Sequence, residues 1–89
     1  MNATFLDVTF RHGKPFAAYL RLPQSAHAKV DHTREVRPGL VVDFAADGTP
    51  LGVEIVNPAS TDADKVMAVL AEVNAAPVSR ADLAPLHAA

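Results

Sequence analysis

Asp43 and Glu54 are the carboxylates best placed for general acid–base work, because strand alternation puts both on one face of a hairpin running from Arg37 to Val56. Tyr19 and Arg21 fall on the matching face of an earlier strand. The four together make a candidate polar cluster on one sheet face: Tyr19, Arg21, Asp43 and Glu54. Paired carboxylates move protons productively inside a pocket that excludes water, and the uncovered side of a small antiparallel sheet is normally wet. Cross-strand ion pairs and hydrogen bonds on such a face contribute about 0.2–1 kcal/mol each, and the sequence favours that structural reading over catalysis.

The four histidines offer metal-ligand chemistry without a chelating pattern. His12 lies in a turn, His27 in a loop, His32 on a strand and His87 near the C-terminus. No two stand one helical turn apart with a glutamate, as a zinc hydrolase requires. Asp31 and His32 are adjacent, yet neighbours in an extended strand point to opposite faces and share an ion only across a bulge. Ser25, Ser60 and Ser79 lack the Gly-x-Ser-x-Gly setting of a nucleophile elbow. The four glycines stand singly, so no phosphate-cradling loop is written in the chain. Absent cysteine removes disulfides, thiolate metal sites and a Cys nucleophile together. Neither a metal nor a cofactor is expected, and the chain reads as non-enzymatic.

These side chains need a scaffold, and alternation supplies it. Strands are expected over about 4–10, 16–22, 28–36, 39–46 and 49–56. Turns fall at Gly13, at Pro38-Gly39 and at Asp47-Gly48, where an Asp-Gly pair between alternating apolar runs is a strong hairpin signal. Phe16, Leu20, Leu22, Leu40, Val42, Phe44, Leu51, Val53 and Ile55 form the expected core side. The third strand is so charged that it suits a sheet edge. Thr61-Asp62-Ala63-Asp64 resembles a capping box, and Ala63, Val66, Met67, Leu70 and Val73 then follow helical spacing, with Val69 widening the stripe. The helix is expected over about 61–76, ending before Pro77. Ser79-Arg80-Ala81-Asp82 repeats the capping pattern, so a short helix or tail occupies 79–89, fraying beyond Pro85. The fold class is α+β: an antiparallel β-meander of four to five strands with one C-terminal helix packed on one face, as a single domain over 1–89.

Size and charge limit the partners. A chain of 89 residues buries only about 60–65% of its unfolded surface, so self-association would thicken a thin core. The net charge of −2 argues against duplex binding, which depends on neutralising many phosphates. The charge is uneven: six bases against three acids up to Leu40, then two bases against seven acids. Such asymmetry can orient two copies or a partner. With 49% hydrophobic residues and no apolar run near the ~20 residues of a membrane span, the chain reads as soluble. No basic leader precedes the first apolar segment, which, with the missing cysteine, reads as cytoplasmic.

Ala18-Tyr19-Leu20-Arg21-Leu22, Thr33 to Asp43 with its Glu-Val-Arg-Pro-Gly turn, and Gly48-Thr49-Pro50-Leu51-Gly52-Val53-Glu54-Ile55 stand in a characteristic order. This order, over about Lys14 to Ser60, resembles the short bacterial proteins of domain of unknown function 2283. The resemblance implies a small β-meander with a C-terminal helix, no established catalytic activity, and antitoxin or partner-binding roles in some members. The positions that carry over are Tyr19, Arg21, Pro38, Gly39, Asp43, Gly48, Gly52 and Glu54, none of them catalytic in the family. Phe10-Arg11-His12-Gly13-Lys14-Pro15 replaces the usual acidic start. The functional expectation is a protein-interaction module, homodimeric or bound to a small protein partner. The alternative is a small-ligand or metal-binding protein, or a weak enzyme, using the polar sheet face.

Overall fold

Five alternating runs become five strands: β1 (Phe5–Arg11), β2 (Lys14–Arg21), β3 (His32–Arg37), β4 (Leu40–Phe44) and β5 (Pro50–Ile55). They are taken from a computed structural model that describes residues 5–23 and 29–87. All pairings are antiparallel, and the spatial order is β1-β2-β5-β4-β3. Consecutive strands β3, β4 and β5 form a meander, while β2 docks on β5, so the chain passes from the sheet's interior to its far edge between Arg21 and His32. The fold is an α+β sheet roofed on one side, and the charged β3 does stand at an edge.

Turn chemistry fixes the register. His12 and Gly13 both have positive φ, 53° and 77°, the geometry that a two-residue hairpin needs to match strand twist. Glycine adopts it freely; histidine does so at some cost. Pro38-Gly39 joins β3 to β4, with the Gly39 N–H donating to the Glu35 carboxylate at 3.0 Å. After β4, the Gly48 N–H donates to the Ala45 carbonyl and the Thr49 N–H to the Asp47 carboxylate, both at 2.9 Å. The Thr49 amide holds the exposed Asp47 carboxyl below its usual pKa.

The core lies under one face. Ala18, Leu20, Leu40, Val42, Phe44, Val53 and Ile55 from the sheet, with Leu22 just after β2, pack with Ala63, Val66, Val69 and Leu70 of the helix α1 (Ala63–Glu72). Leu51 is buried as well. Phe16 departs from the expected core side: it is 52% exposed. Pairing steps from Thr9↔Ala17 to Phe10↔Pro15, so Phe16 is the extra residue of a β-bulge and loses its place in the alternation. Its ring lies 4.7 Å under the Arg11 guanidinium.

The helix is shorter than the apolar stripe predicts. Asp62, not Thr61, is the N-cap, its carboxylate accepting from the Asp64 N–H at 2.9 Å. Thr61 instead donates its hydroxyl to the Asn57 carbonyl at 2.6 Å. At the other end Asn74 takes the left-handed conformation, φ 60°. The Ala75 N–H then reaches the Leu70 carbonyl and the Asn74 N–H the Ala71 carbonyl, a Schellman closure that stops α1 at Glu72, well before Pro77.

The chain stays packed just past Pro85, at Leu86; residues 88–89 of the expected frayed tail lie outside the described residues. Ser79 and Asp82 cap each other reciprocally, the Asp82 N–H to Ser79 Oγ at 3.1 Å and the Ser79 N–H to Asp82 Oδ2 at 3.2 Å. A 3-10 segment follows over Ala81–His87 and packs beneath β1 and β2, with Leu83 and Leu86 fully buried. Arg80 meets Asp64 of α1, and Arg37 of β3 donates to Glu72 at 2.8 Å, tying both ends of the roof down. Among the described residues, no helix is long and apolar enough to cross a membrane.

Candidate functional site

The uncovered face of the sheet carries a polar belt that crosses all five strands. Tyr19 on β2 donates its hydroxyl to Asp43 Oδ2 on β4 at 2.7 Å, passing over β5 to do so. Only glycine permits this path. Gly52 stands between Arg21 and Asp43 in the register, and a side chain there would occupy the space that the Tyr19 ring fills. Thr33 on β3 donates its hydroxyl to Asp43 Oδ1 at 2.8 Å. On the other flank, Arg21 Nε donates to Asp7 Oδ2 on β1 at 3.1 Å, and the Arg21 guanidinium lies 5.5 Å from the Tyr19 ring centroid.

Three of the four expected cluster residues thus sit in one connected belt. Glu54 pairs with Tyr19 in the strand register and is exposed, but its side chain joins no hydrogen bond or ion pair among the described residues. Asp43 is therefore bonded within the belt while Glu54 stands outside it. Both Asp43 oxygens are already occupied by hydroxyl donors. The phenol of Tyr19 is pushed well above its usual pKa, first by burial and then by its hydrogen bond to Asp43, so at neutral pH it stays protonated and its O–H donates to that carboxylate. A shallow notch of about 180 Å³ lies on this face beside Tyr19 and Glu54. The arrangement can brace strands, and the notch beside it is open to solvent, unlike the water-excluding pocket that proton transfer favours.

Two larger open grooves flank α1. One, of about 590 Å³, lies between the Pro38-Gly39 turn and the start of α1, with Arg37, Asn57, Ser60, Thr61 and Lys65 among its walls. The other, of about 630 Å³, opens between the Asp47-Gly48 turn and the Asn74 cap. Neither contains the polar belt.

His12 occupies the β1–β2 turn, His27 lies outside the described residues, and so does the side chain of His87. His32 does meet Asp31, with Nδ1 and Oδ2 2.9 Å apart, contrary to the expectation from alternation. Asp31 precedes β3, so the pleat does not separate the two side chains. His32 also stacks on Phe44 at 5.1 Å between centroids. No group of three or more ligating side chains is positioned to hold a metal ion among the described residues.

The residues that build the belt coincide with a stretch that can be compared with known families. Residues 17–57 match DUF2283, a protein family of unknown function. No curated protein and no solved structure matches the chain. The DUF2283 match runs from β2 through β5 and includes Tyr19, Arg21, Thr33, Asp43 and Gly52, the whole belt except Asp7, together with the unbonded Glu54. The strand β1, the helix α1 and the C-terminal 3-10 segment lie outside it. Two belt members escape a reading of the sequence by residue type. Asp7 was visible as the acid alternating between Leu6 and Val8, but its partner depends on β1 pairing with β2. Thr33 is an ordinary strand threonine until β3 is known to neighbour β4.

Proposed function

We propose that this protein is a non-enzymatic protein-interaction module that works as a homodimer. The observation that carries the reading is apolar surface left open at one hairpin end: Phe10 is 49% and Phe16 52% exposed, on either side of the His12-Gly13 turn. Two phenylalanines so exposed on a domain of this size mark a place where another surface is expected to sit. The belt on the open sheet face supports the same reading, because its hydrogen-bonding groups are turned on one another and brace a rigid platform. An antitoxin-like role, with a small protein partner, is the form of this reading that the family resemblance favours.

Light scattering coupled to gel filtration tests it. The expected mass is twice the 9.4 kDa chain, falling toward one chain when Phe10 and Phe16 are both replaced by Ser. A monomer at every accessible concentration, with no stoichiometric partner recovered from the native cell, would contradict the proposal.

A further inference from the structure

We infer that β1 is the dimer interface, pairing antiparallel with β1 of a second copy about a two-fold axis through Thr9; this rests on the homodimer reading above. The sheet has two edges, β1 and β3, and they are differently protected. On β3, His32 and Arg34 turn toward the buried Phe44, with centroid distances of 5.1 and 5.5 Å, and the pairing is irregular between Glu35 and Arg37. A charged arginine on the covered face and a bulge are devices that keep an edge from adding a strand. On β1 the sequence is FLDVTFR, with no proline, and the extra residue of its bulge lies on β2. Leu6 and Val8 already pack against the core, and Phe10 is half exposed.

Register selects the axis. Residues directly opposite in a continuous sheet must point to the same side, so a symmetric antiparallel pair can centre only on a residue. Centring on Asp7 sets that carboxylate against itself. Centring on Val8 places Asp7 opposite the partner's Thr9 and Arg11 opposite the partner's Phe5, leaving both charges unmatched. Centring on Thr9 places Asp7 opposite the partner's Arg11 and Arg11 opposite the partner's Asp7. On the other face it sets Phe10 against the partner's Val8. The four-residue separation of Asp7 and Arg11 is therefore self-complementary about Thr9, and opposite charges facing each other across strands favour the pairing. Asp7 Oδ1 remains outside the Arg21 contact, which uses Oδ2. The result is an isologous interface with both helical roofs on one side of a ten-stranded sheet.

The chain has no cysteine, so a single Thr9→Cys substitution reports the axis directly. Mild oxidation is expected to convert Thr9→Cys to a covalent dimer on a non-reducing gel, whereas Glu35→Cys on the opposite edge stays monomeric. Independently, Asp7→Arg should weaken self-association at least about tenfold, and adding Arg11→Asp should restore it. If the wild type is a dimer but Thr9→Cys is not trapped and the charge swap fails to rescue, this interface is overturned while the homodimer stands. A monomeric wild type overturns both.

Discussion

Replacing Gly52 with Ala is expected to destabilise the fold by about 1–3 kcal/mol, the scale of losing a hydrogen bond to a charged acceptor together with the packing around it. The sign is the informative part. In the interior of a strand, Gly→Ala ordinarily stabilises, by roughly 0.5–1 kcal/mol, because alanine has less backbone freedom to lose. Here the added Cβ falls against Oη and Cζ of Tyr19 and 2.6 Å from its Cε2, so the ring must leave and the bond to Asp43 must break. The same substitution in a Tyr19→Ala background should return to neutral or stabilising. A denaturant-unfolding cycle over wild type, the two single variants and the double variant measures the coupling. Additive effects would mean that Gly52 does not serve as the passage for Tyr19.

Leu86→Ala should cost about 2–4 kcal/mol, a large share of the roughly 4–13 kcal/mol that a domain of this length holds. Leu86 and Leu83 are both fully buried, although they lie in a 3-10 segment only a few residues from the C-terminus. They pack beneath β1 and β2, where α1 is too short to supply all the cover. Ending the chain after Arg80 removes both leucines and should abolish the cooperative transition in thermal or urea unfolding. If Leu86→Ala unfolds within about 0.5 kcal/mol of wild type, the C-terminal segment is not part of the core.

What the sequence made legible follows the range of the interactions involved. Strand alternation is local, and it placed Leu20, Val42, Val53 and Ile55 on the covered face and Tyr19, Arg21, Asp43 and Glu54 on the open one. Phe16 leaves the expected side because a single extra residue inverts the pattern; the local cue is Pro15, since proline within a paired strand commonly marks a bulge. The end of α1 was legible in principle at Asn74, since asparagine tolerates the left-handed cap, but the apolar stripe continuing to Val73 and the stop at Pro77 drew the boundary outward. The belt needed non-local knowledge. That β2 neighbours β5, and not β3, is what routes Tyr19 over Gly52 to Asp43 and leaves the Glu54 side chain without a hydrogen-bonding partner among the described residues. The cue present all along was a glycine inside an otherwise apolar strand, which commonly marks a close approach.

The central claim is that hydrogen bonds across the open face brace the sheet into a rigid platform, on which the proposed interaction role rests. Tyr19 is the sole tyrosine and there is no tryptophan, so the phenolate absorbance of the folded protein titrates this group alone. Burial and Asp43 raise its pKa, so the native contact contributes fully below about pH 10, the unfolded value, and that contribution is lost as pH climbs through the folded pKa. A spectrophotometric titration should give a midpoint clearly above 10 in the folded wild type, and one near 10 in denaturant and in Gly52→Ala. A folded wild type that ionises at the ordinary value would contradict the account, because Tyr19 would then be in water and the belt would not exist.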